Sequence, residues 1–456
     1  MKNKLFIILL VAIALLGLGL RLVDYDRLPG FEETQDEFFY PWAGMTMLQG
    51  KPPVGWSWFE AYPKREIKTF WGAQYPLVSP WLEKPPLYSL LSGAWMLLSG
   101  AKEIWEVRLT VLRLLPIGLS FFTIILTGIL ATKVFSRPVG IIAALLYATT
   151  PTMVMANRMS LTENLLTPIV LGTLCLFLTQ FKSRAGVTLQ PFLVGLGAAL
   201  AILTKQAGIS LGLTLILLFI LRRNWRGTII TGLFSIFAIG IHWAIGYAFS
   251  WHLFITTQQE LLAAFIKEGL PQLTQTIFLS PTIARKEHVF LDGAMLLGYL
   301  LLFSGPLWLK TQRKFLVEDI LAFPLIFVLL LALAASGAGF SFYGWHVYPV
   351  FPFLMILLAS VLVSQFQAPQ FLTLLVFYLI LGSSTLRFLL QFSTKYQLLW
   401  PQILAGGLIF LLSAFVLKPK IRQVIFLVFF LLVIVVNIYT VVDLNQIYPV
   451  MAQPQI

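Results

Sequence analysis

Residues 189–221 read LQPFLVGLGAALAILTKQAGISLGLTLILLFIL, an apolar tract interrupted by a single charge, Lys205. Each half, 189–204 and 206–221, is short against the roughly 20 apolar residues a helix needs to cross a bilayer core. Charge decides how to read the pair. Lys182 and Arg184 precede it, and Arg222, Arg223 and Arg226 follow it. Basic residues collect in cytoplasmic loops, so the chain crosses the membrane twice between the two clusters.

Working outward, the same reading gives spans at about 5–20, 114–132, 138–156, 161–181, 228–249, 290–309, 317–335, 345–365, 370–386, 400–417 and 423–441, about thirteen with the central pair. The fold class expected is an all-α polytopic membrane protein, one transmembrane domain over 1–456. The inner loops carry Lys133 and Arg137, then Lys310, Arg313 and Lys314, then Lys418, Lys420 and Arg422; only the loop near 364–370 lacks a basic residue. An odd number of spans puts the C-terminus outside. The N-terminus, MKNK before an apolar run, resembles a signal peptide, yet no small-residue cleavage site follows it. It reads as an uncleaved first span with Lys2 and Lys4 inside.

Composition agrees. Hydrophobic residues make up 58% and charged residues 11%, against about 25% charge in soluble domains. This excludes a soluble enzyme, a disordered hub and a nucleic-acid binder. The net charge of +13 reflects topology-setting loops rather than a polyanionic partner. Cys175, the one cysteine, lies in an apolar run and allows neither an intrachain disulfide nor a thiolate cluster.

Two outer loops are long, 23–113 and 250–289, and long loops are where function concentrates. In the first, Leu87–Leu98 is bounded by Pro85, Pro86 and Gly100 and is too short to span, so an interfacial helix is expected. In the second, TTQQELLAAFIKEGL at 256–270 reads as another. The first loop holds EETQDEFFY at 32–40 and LEKPPLY at 82–88. Asp36 and Glu37 sit before Phe38, Phe39, Tyr40 and Trp42, and Trp56, Trp58, Trp71 and Trp81 suit a membrane surface. Carboxylates beside lipid acquire raised pKa values and serve as bases. The plainer reading is an ordinary solvated loop. At the outer ends of spans lie Arg108, Arg113, Arg158, Glu163, Lys205, His346 and Arg387. Any one of these is explained by snorkelling to headgroups. Several cations on the face that carries the carboxylates suit a phosphate with a sugar attached. Gly195-Leu196-Gly197 follows no soluble strand, so no dinucleotide site is expected, and His242, His252, His288 and His346 show no metal spacing.

In this order the motifs resemble those of the GT-C membrane glycosyltransferases that use polyprenyl-phosphate sugars, the branch of protein O-mannosyltransferases and aminoarabinose lipid A transferases. The resemblance rests on Asp36-Glu37 followed by Tyr40; on Glu83-Lys84-Pro85-Pro86-Leu87-Tyr88; on an Arg-Leu pair at Arg108-Leu109 or Arg113-Leu114; on Arg158 with Glu163; on Leu203-Thr204-Lys205; and on Tyr348-Pro349-Val350-Phe351-Pro352. Phe39 stands where the aminoarabinose enzymes have Arg, Glu163 where Asp is common, and their large C-terminal domain has no counterpart.

The resemblance implies transfer of a sugar from a polyprenyl-phosphate donor to an acceptor hydroxyl on the outer face of the plasma or inner membrane, with inversion. The acceptor is a lipid, a glycan or a protein. It implies Asp36 as base with Glu37 second; Lys84, Tyr40, Tyr88, Arg158 and Lys205 as donor-phosphate contacts; and Glu83, Glu163, His346 and Tyr348 as further cavity residues. No cofactor is required. A divalent metal at Glu83 and His288 is allowed by analogy with the aminoarabinose enzymes. The rival class is a transporter or flippase of lipid-linked sugars. Such proteins often carry inverted repeats, and none is evident here.

Overall fold

The computed structural model describes residues 3–30, 35–179, 189–265, 293–308, 315–334, 344–382, 399–413 and 415–443. Within these, every apolar run is helical. Helix α1 is Asn3–Leu22. After the first loop, a short α4 (Leu109–Leu112) leads into α5 (Leu114–Val134). The run at 138–156 divides into α6 (Arg137–Thr149) and α7 (Pro151–Ala156), because Pro151 cannot donate to a helical ladder and holds Thr150 extended. Next come α8 (Glu163–Phe177), α9 (Gln190–Thr204) and α10 (Ile209–Leu221). The last two are separate because Lys205 is extended, with φ −157° and ψ 147°. Helix α11 is Trp225–Phe265, α12 is Gly293–Trp308 and α13 is Phe315–Ala334. A 3-10 turn, Gly344–Val350, opens α14 (Phe351–Gln367). Then follow α15 (Phe371–Phe377), α16 (Trp400–Ser413) and α17 (Pro419–Val442).

Five helical stretches among the described residues are long and apolar enough to cross a membrane: Asn3–Leu22, Leu109–Val134, Trp225–Ala263, Gly344–Gln367 and Lys420–Val442. The other apolar helices run 10–17 residues. The expected spans are thus present as helices, but a count of thirteen is not established by their lengths. Apolar side chains face outward along them, as at Ile8 (63% exposed) and Phe237 (65% exposed). Such surfaces suit lipid and would be costly in water. Cys175 is buried within α8 and free.

The first loop is more structured than an interfacial helix. It contains α2 (Asp36–Leu48), strands β1 (Gly55–Trp56), β2 (Glu66–Phe70) and β3 (Ala73–Val78), and α3 (Pro86–Leu98). The antiparallel sheet, in the order β1-β3-β2, corrects the all-α expectation locally. Trp71 and Gly72 turn the β2–β3 hairpin, with φ of 51° and 80°, as two-residue hairpins require. Placing Trp there is unfavourable; its ring packs, tilted, on Phe38 with centroids 4.5 Å apart. Trp56 and Trp81 pack on Phe39, with ring centroids at 5.5 and 4.7 Å. These tryptophans therefore build the loop's own core instead of facing lipid; Trp58, 57% exposed, is the exception. Helices α2 and α3 cross at Gly44 and Gly93, where a Cβ on either would strike the other's backbone.

Helix α11 turns back on itself. Ser250 is non-helical, φ −171° and ψ 104°, and the rings of His242 and Phe254 lie 5.1 Å apart. Twelve residues of straight helix would separate them by about 18 Å. The second half returns to the first loop, which explains the helical reading of residues 256–265; residues 266–270 lie outside the described set.

Candidate functional site

Glu37 lies in the first turn of α2, where a carboxylate is favoured by the helix dipole. Arg113, at the junction of α4 and α5, grips it with two bonds, Nη2 to Oε1 at 2.8 Å and Nε to Oε2 at 3.2 Å. The backbone N–H of Ser160 donates to Oε2 at 2.7 Å. Arg113 also donates to the carbonyls of Tyr25 (2.9 Å) and Pro29 (2.8 Å). Both side chains are fully buried. This pair fastens the start of α2 to the bundle and thereby aims its neighbour Asp36, which is partly buried. Of the two Arg-Leu pairs, Arg113 is buried and Arg108 is exposed.

A second cluster joins three distant segments. Glu163 opens α8, Lys205 sits in the break between α9 and α10, and His346 lies in the turn before α14. Lys205 Nζ pairs with Glu163 Oε1 and lies 3.3 Å from His346 Nδ1. Glu163 Oε2 accepts from Thr162 at 2.9 Å. The Tyr88 hydroxyl bonds Ser160 Oγ at 2.8 Å, and the Tyr40 ring meets Tyr88 edge-on at 5.3 Å. The buried Tyr40 phenol bonds Thr162 and is held protonated, well above its ordinary range, by burial and then by the charges of Glu163 and Asp36.

Lys84 lies beside this cluster. Pro85 is extended, φ −58° and ψ 153°, and Pro86 starts α3, so the two prolines fix the direction in which Lys84 enters. Burial lowers the pKa of its ammonium; Glu83, Asp36 and Glu163 oppose the shift and Lys205 adds to it. Burial likewise pushes the Glu83 carboxyl up to about 7, against the pull of Lys84 and the Ser57 hydroxyl. The loop is strapped down from behind. Gln206 Nε2 donates to the Glu83 carbonyl at 2.6 Å, and Gln258 Nε2 donates to the Leu82 carbonyl at 2.9 Å. The Glu260 carboxylate accepts from the backbone N–H groups of Glu60 (2.7 Å) and Ala61 (2.8 Å).

Asp36, Tyr40, Glu83, Lys84, Glu163, Lys205 and His346 are therefore gathered into one electrostatically connected region, with Tyr88 at its edge. Arg158 goes elsewhere. Its guanidinium donates to the carbonyls of Leu20 (3.0 Å), Arg21 (3.2 Å) and Leu28 (3.3 Å). It satisfies two C-terminal carbonyls of α1 and one of the following loop. Tyr348 is buried with its ring on Phe351 at 5.2 Å. His288 lies outside the described residues, as does Arg387. Among the described residues no three His, Cys, Asp or Glu side chains converge as a metal site; the metal expected at Glu83 with His288 involves a residue outside that set. Sequence reading missed Gln206, Gln258, Glu260, Ser160 and Thr162. The one available signal was position: Gln206 adjoins Lys205, and Gln258 and Glu260 belong to the polar end of an amphipathic stretch.

A family model described as dolichyl-phosphate-mannose-protein mannosyltransferase matches residues 83–247. That segment contains Glu83, Lys84, Tyr88, Glu163 and Lys205, while Asp36, Tyr40 and His346 flank it. No characterised protein matches the chain by sequence. Among solved structures, ArnT from Cupriavidus metallidurans bound to undecaprenyl phosphate superposes with a TM-score of 0.54 at 15% identity, covering 98% of this chain and 78% of that one. The oligosaccharyltransferase AglB from Archaeoglobus fulgidus, in complex with an inhibitory peptide and a dolichol-phosphate, superposes with a TM-score of 0.52 at 14% identity and covers 80% of this chain. This chain spans 51% of AglB, about half its length. The fold of this chain is thus similar to that of ArnT and AglB, and residues 83–247 match the mannosyltransferase family model.

Proposed function

We propose that this protein is an integral-membrane glycosyltransferase that moves a sugar from a polyprenyl-phosphate donor to an acceptor hydroxyl at the extracytoplasmic face, with inversion. One observation carries the reading. A carboxylate on a clamped helix, Asp36, shares its surroundings with two lysines, Lys84 and Lys205, that come from separate elements of a GT-C bundle. The acceptor oxygen attacks the anomeric carbon as the bond from that carbon to the phosphate oxygen breaks. Asp36 takes the hydroxyl proton, and polyprenyl phosphate leaves with the bonding electron pair. The leaving group needs no proton, only charge stabilisation, which Lys84 supplies directly. Tyr40 and Tyr88 offer phenolic donors near it. Lys205 is already paired with Glu163, so its part is to hold that carboxylate and shape the local field. Glu37 is the anchor that aims Asp36.

Purified protein, supplied with an undecaprenyl-phosphate sugar and an acceptor that turns over, tests this. Asp36→Asn should abolish transfer and keep donor binding, because the loss lies in the transition state. Lys84→Ala should weaken donor binding by about 1.5–3 kcal/mol, the worth of a hydrogen bond to a charged group. Wild-type turnover by Asp36→Asn would refute the assignment.

A further inference from the structure

A cleft of about 550 Å³ opens where α3 ends and the chain turns towards α4. Its walls include Trp71, Met96, Trp105, Glu106, Arg108 and Val111. It is separate from the region around Asp36 and Lys84. Lys84 precedes the first turn of α3 and the cleft follows its last, about 20 Å along the helix. Helix α2 divides the two: Phe39, Tyr40 and Ala43 face the main core, whereas Phe38, Trp42 and Met45 face a smaller core that borders the cleft.

The backbone builds this cleft in steps. Gly100 takes a φ of 96°, the left-handed conformation that stops α3, and the chain doubles back through a 3-10 turn, Ile104–Glu106. Three hydrogen bonds hold the frame. Gln49 Nε2, just past α2, donates to the Lys102 carbonyl at 2.7 Å, Glu106 Oε2 accepts from the Lys102 N–H at 2.6 Å, and Trp95 Nε1 donates to the Val111 carbonyl at 2.8 Å. Val107 and Arg108 are extended, so side chains alternate. Val107 is buried, while Glu106 and Arg108 are exposed and open to a ligand.

The depth of the cleft follows from what comes next in the chain. Leu109–Val134 is long and apolar enough to cross a membrane, which puts Glu106 and Arg108 at the mouth of that span, level with lipid headgroups. Leu98 and Trp105 are 85% and 56% exposed, surface that is costly in water and suited to the bilayer interface.

We propose that this cleft binds the headgroup of a phospholipid carrying a primary ammonium, of the phosphatidylethanolamine type. Arg108 donates to the phosphate. The Glu106 carboxylate accepts from the ammonium, and the two indoles offer π surface to the same cation. Met96 and Val111 meet the glycerol end of the acyl chains. An anionic headgroup without an amine would leave Glu106 against like charge, and a trimethylammonium has no N–H to give it. The charge pair therefore selects the primary amine. This inference stands apart from the glycosyltransferase reading.

Native mass spectrometry of delipidated protein, titrated with phosphatidylethanolamine, phosphatidylcholine or phosphatidylglycerol, measures the affinity of the first bound lipid. Wild type is compared with Arg108→Gln, Arg108→Lys and Glu106→Gln, each shown to be folded by thermal unfolding. Gln at 106 still accepts from the Lys102 N–H, and the Arg108 side chain makes no cap bond to α4, so local structure is kept. Wild type should prefer phosphatidylethanolamine to the other two about threefold. Arg108→Gln should weaken all three lipids at least about tenfold, and Arg108→Lys, which keeps the charge, should recover most of that. Glu106→Gln should weaken phosphatidylethanolamine alone and erase the preference. Equal affinity for the three lipids in wild type and every variant would mean ordinary boundary lipid and overturn the site. Tighter binding of phosphatidylglycerol by wild type would overturn the selection of an amine. Displacement of phosphatidylethanolamine by cellobiose would reassign the cleft to a saccharide and overturn the lipid reading.

Discussion

The side-chain amide of Gln206 donates a 2.6 Å hydrogen bond to the backbone carbonyl of Glu83. It thereby couples the helix break that presents Lys205 to the loop that presents Lys84, residues more than a hundred positions apart in the chain. Gln206→Leu removes the donor and leaves a carbonyl that Gln258 still reaches at 3.3 Å. The expected cost is that of one neutral hydrogen bond, about 1 kcal/mol, read as a roughly fivefold rise in the donor Kd with unfolding temperature little changed. An unaltered Kd would show that the two segments are positioned independently.

Glu37 and Arg113 should behave as a structural unit. Removing one partner leaves a buried charge uncompensated, which costs about 3–5 kcal/mol. Glu37→Gln and Arg113→Met should each lower the thermal unfolding temperature in detergent markedly. The double variant should be less destabilised than the sum of the two, since the coupling is counted once. Strict additivity would mean that the 2.8 Å contact contributes nothing.

Glu83 makes stability depend on pH. Its folded value of about 7 lies above its ordinary value of 4.5, so the folded state holds the proton more tightly than the unfolded state. The contribution is complete below about pH 4.5 and is lost as pH rises through 7. The size is on the order of 3 kcal/mol. Unfolding temperature should therefore fall between pH 5 and pH 8, and Glu83→Gln should flatten that slope. A wild-type slope retained in the variant would assign the proton to another group.

Tyr40→Phe isolates one hydroxyl. The ring keeps its packing on Tyr88 and on Phe39, which lies at 4.3 Å, so stability should fall by no more than the one bond to Thr162, about 1 kcal/mol. Donor affinity should fall at least about tenfold, as for one hydrogen bond to a charged group. Equal loss of stability and affinity would mark the hydroxyl as part of the scaffold.

Membrane orientation is open to labelling. Cysteines placed at Gln74, on strand β3, and at Arg226, at the start of α11, should react oppositely with an impermeant thiol reagent in intact cells. The native Cys175 is buried and should give little background. Reaction at position 74 alone supports an extracytoplasmic first loop, and reaction at position 226 alone would invert it.

The amino-acid sequence by itself determined the helices. Apolar runs of near-spanning length admit no other backbone in lipid, where every N–H and C=O must be satisfied within the segment. It also marked Lys205 as a break and Pro85-Pro86 as the start of α3, because a lone charge and a proline pair act locally. The small sheet of the first loop was not legible: its tryptophans read equally well as membrane anchors, and only packing against Phe38 and Phe39 shows that they form a core. Tertiary structure alone decided which charges face one another. Arg158 and Arg113 look alike in sequence, yet one satisfies carbonyls at the end of α1 and the other grips Glu37. Lys205 meets Glu163 and His346 across gaps of 42 and 141 residues. The bend at Ser250, which sets His242 and Gln258 against the first loop, depends on Phe254 seating against Gly246. Partner choice among buried charges is set by distances of a few ångströms between segments remote in the chain, and no local pattern of residues encodes those distances.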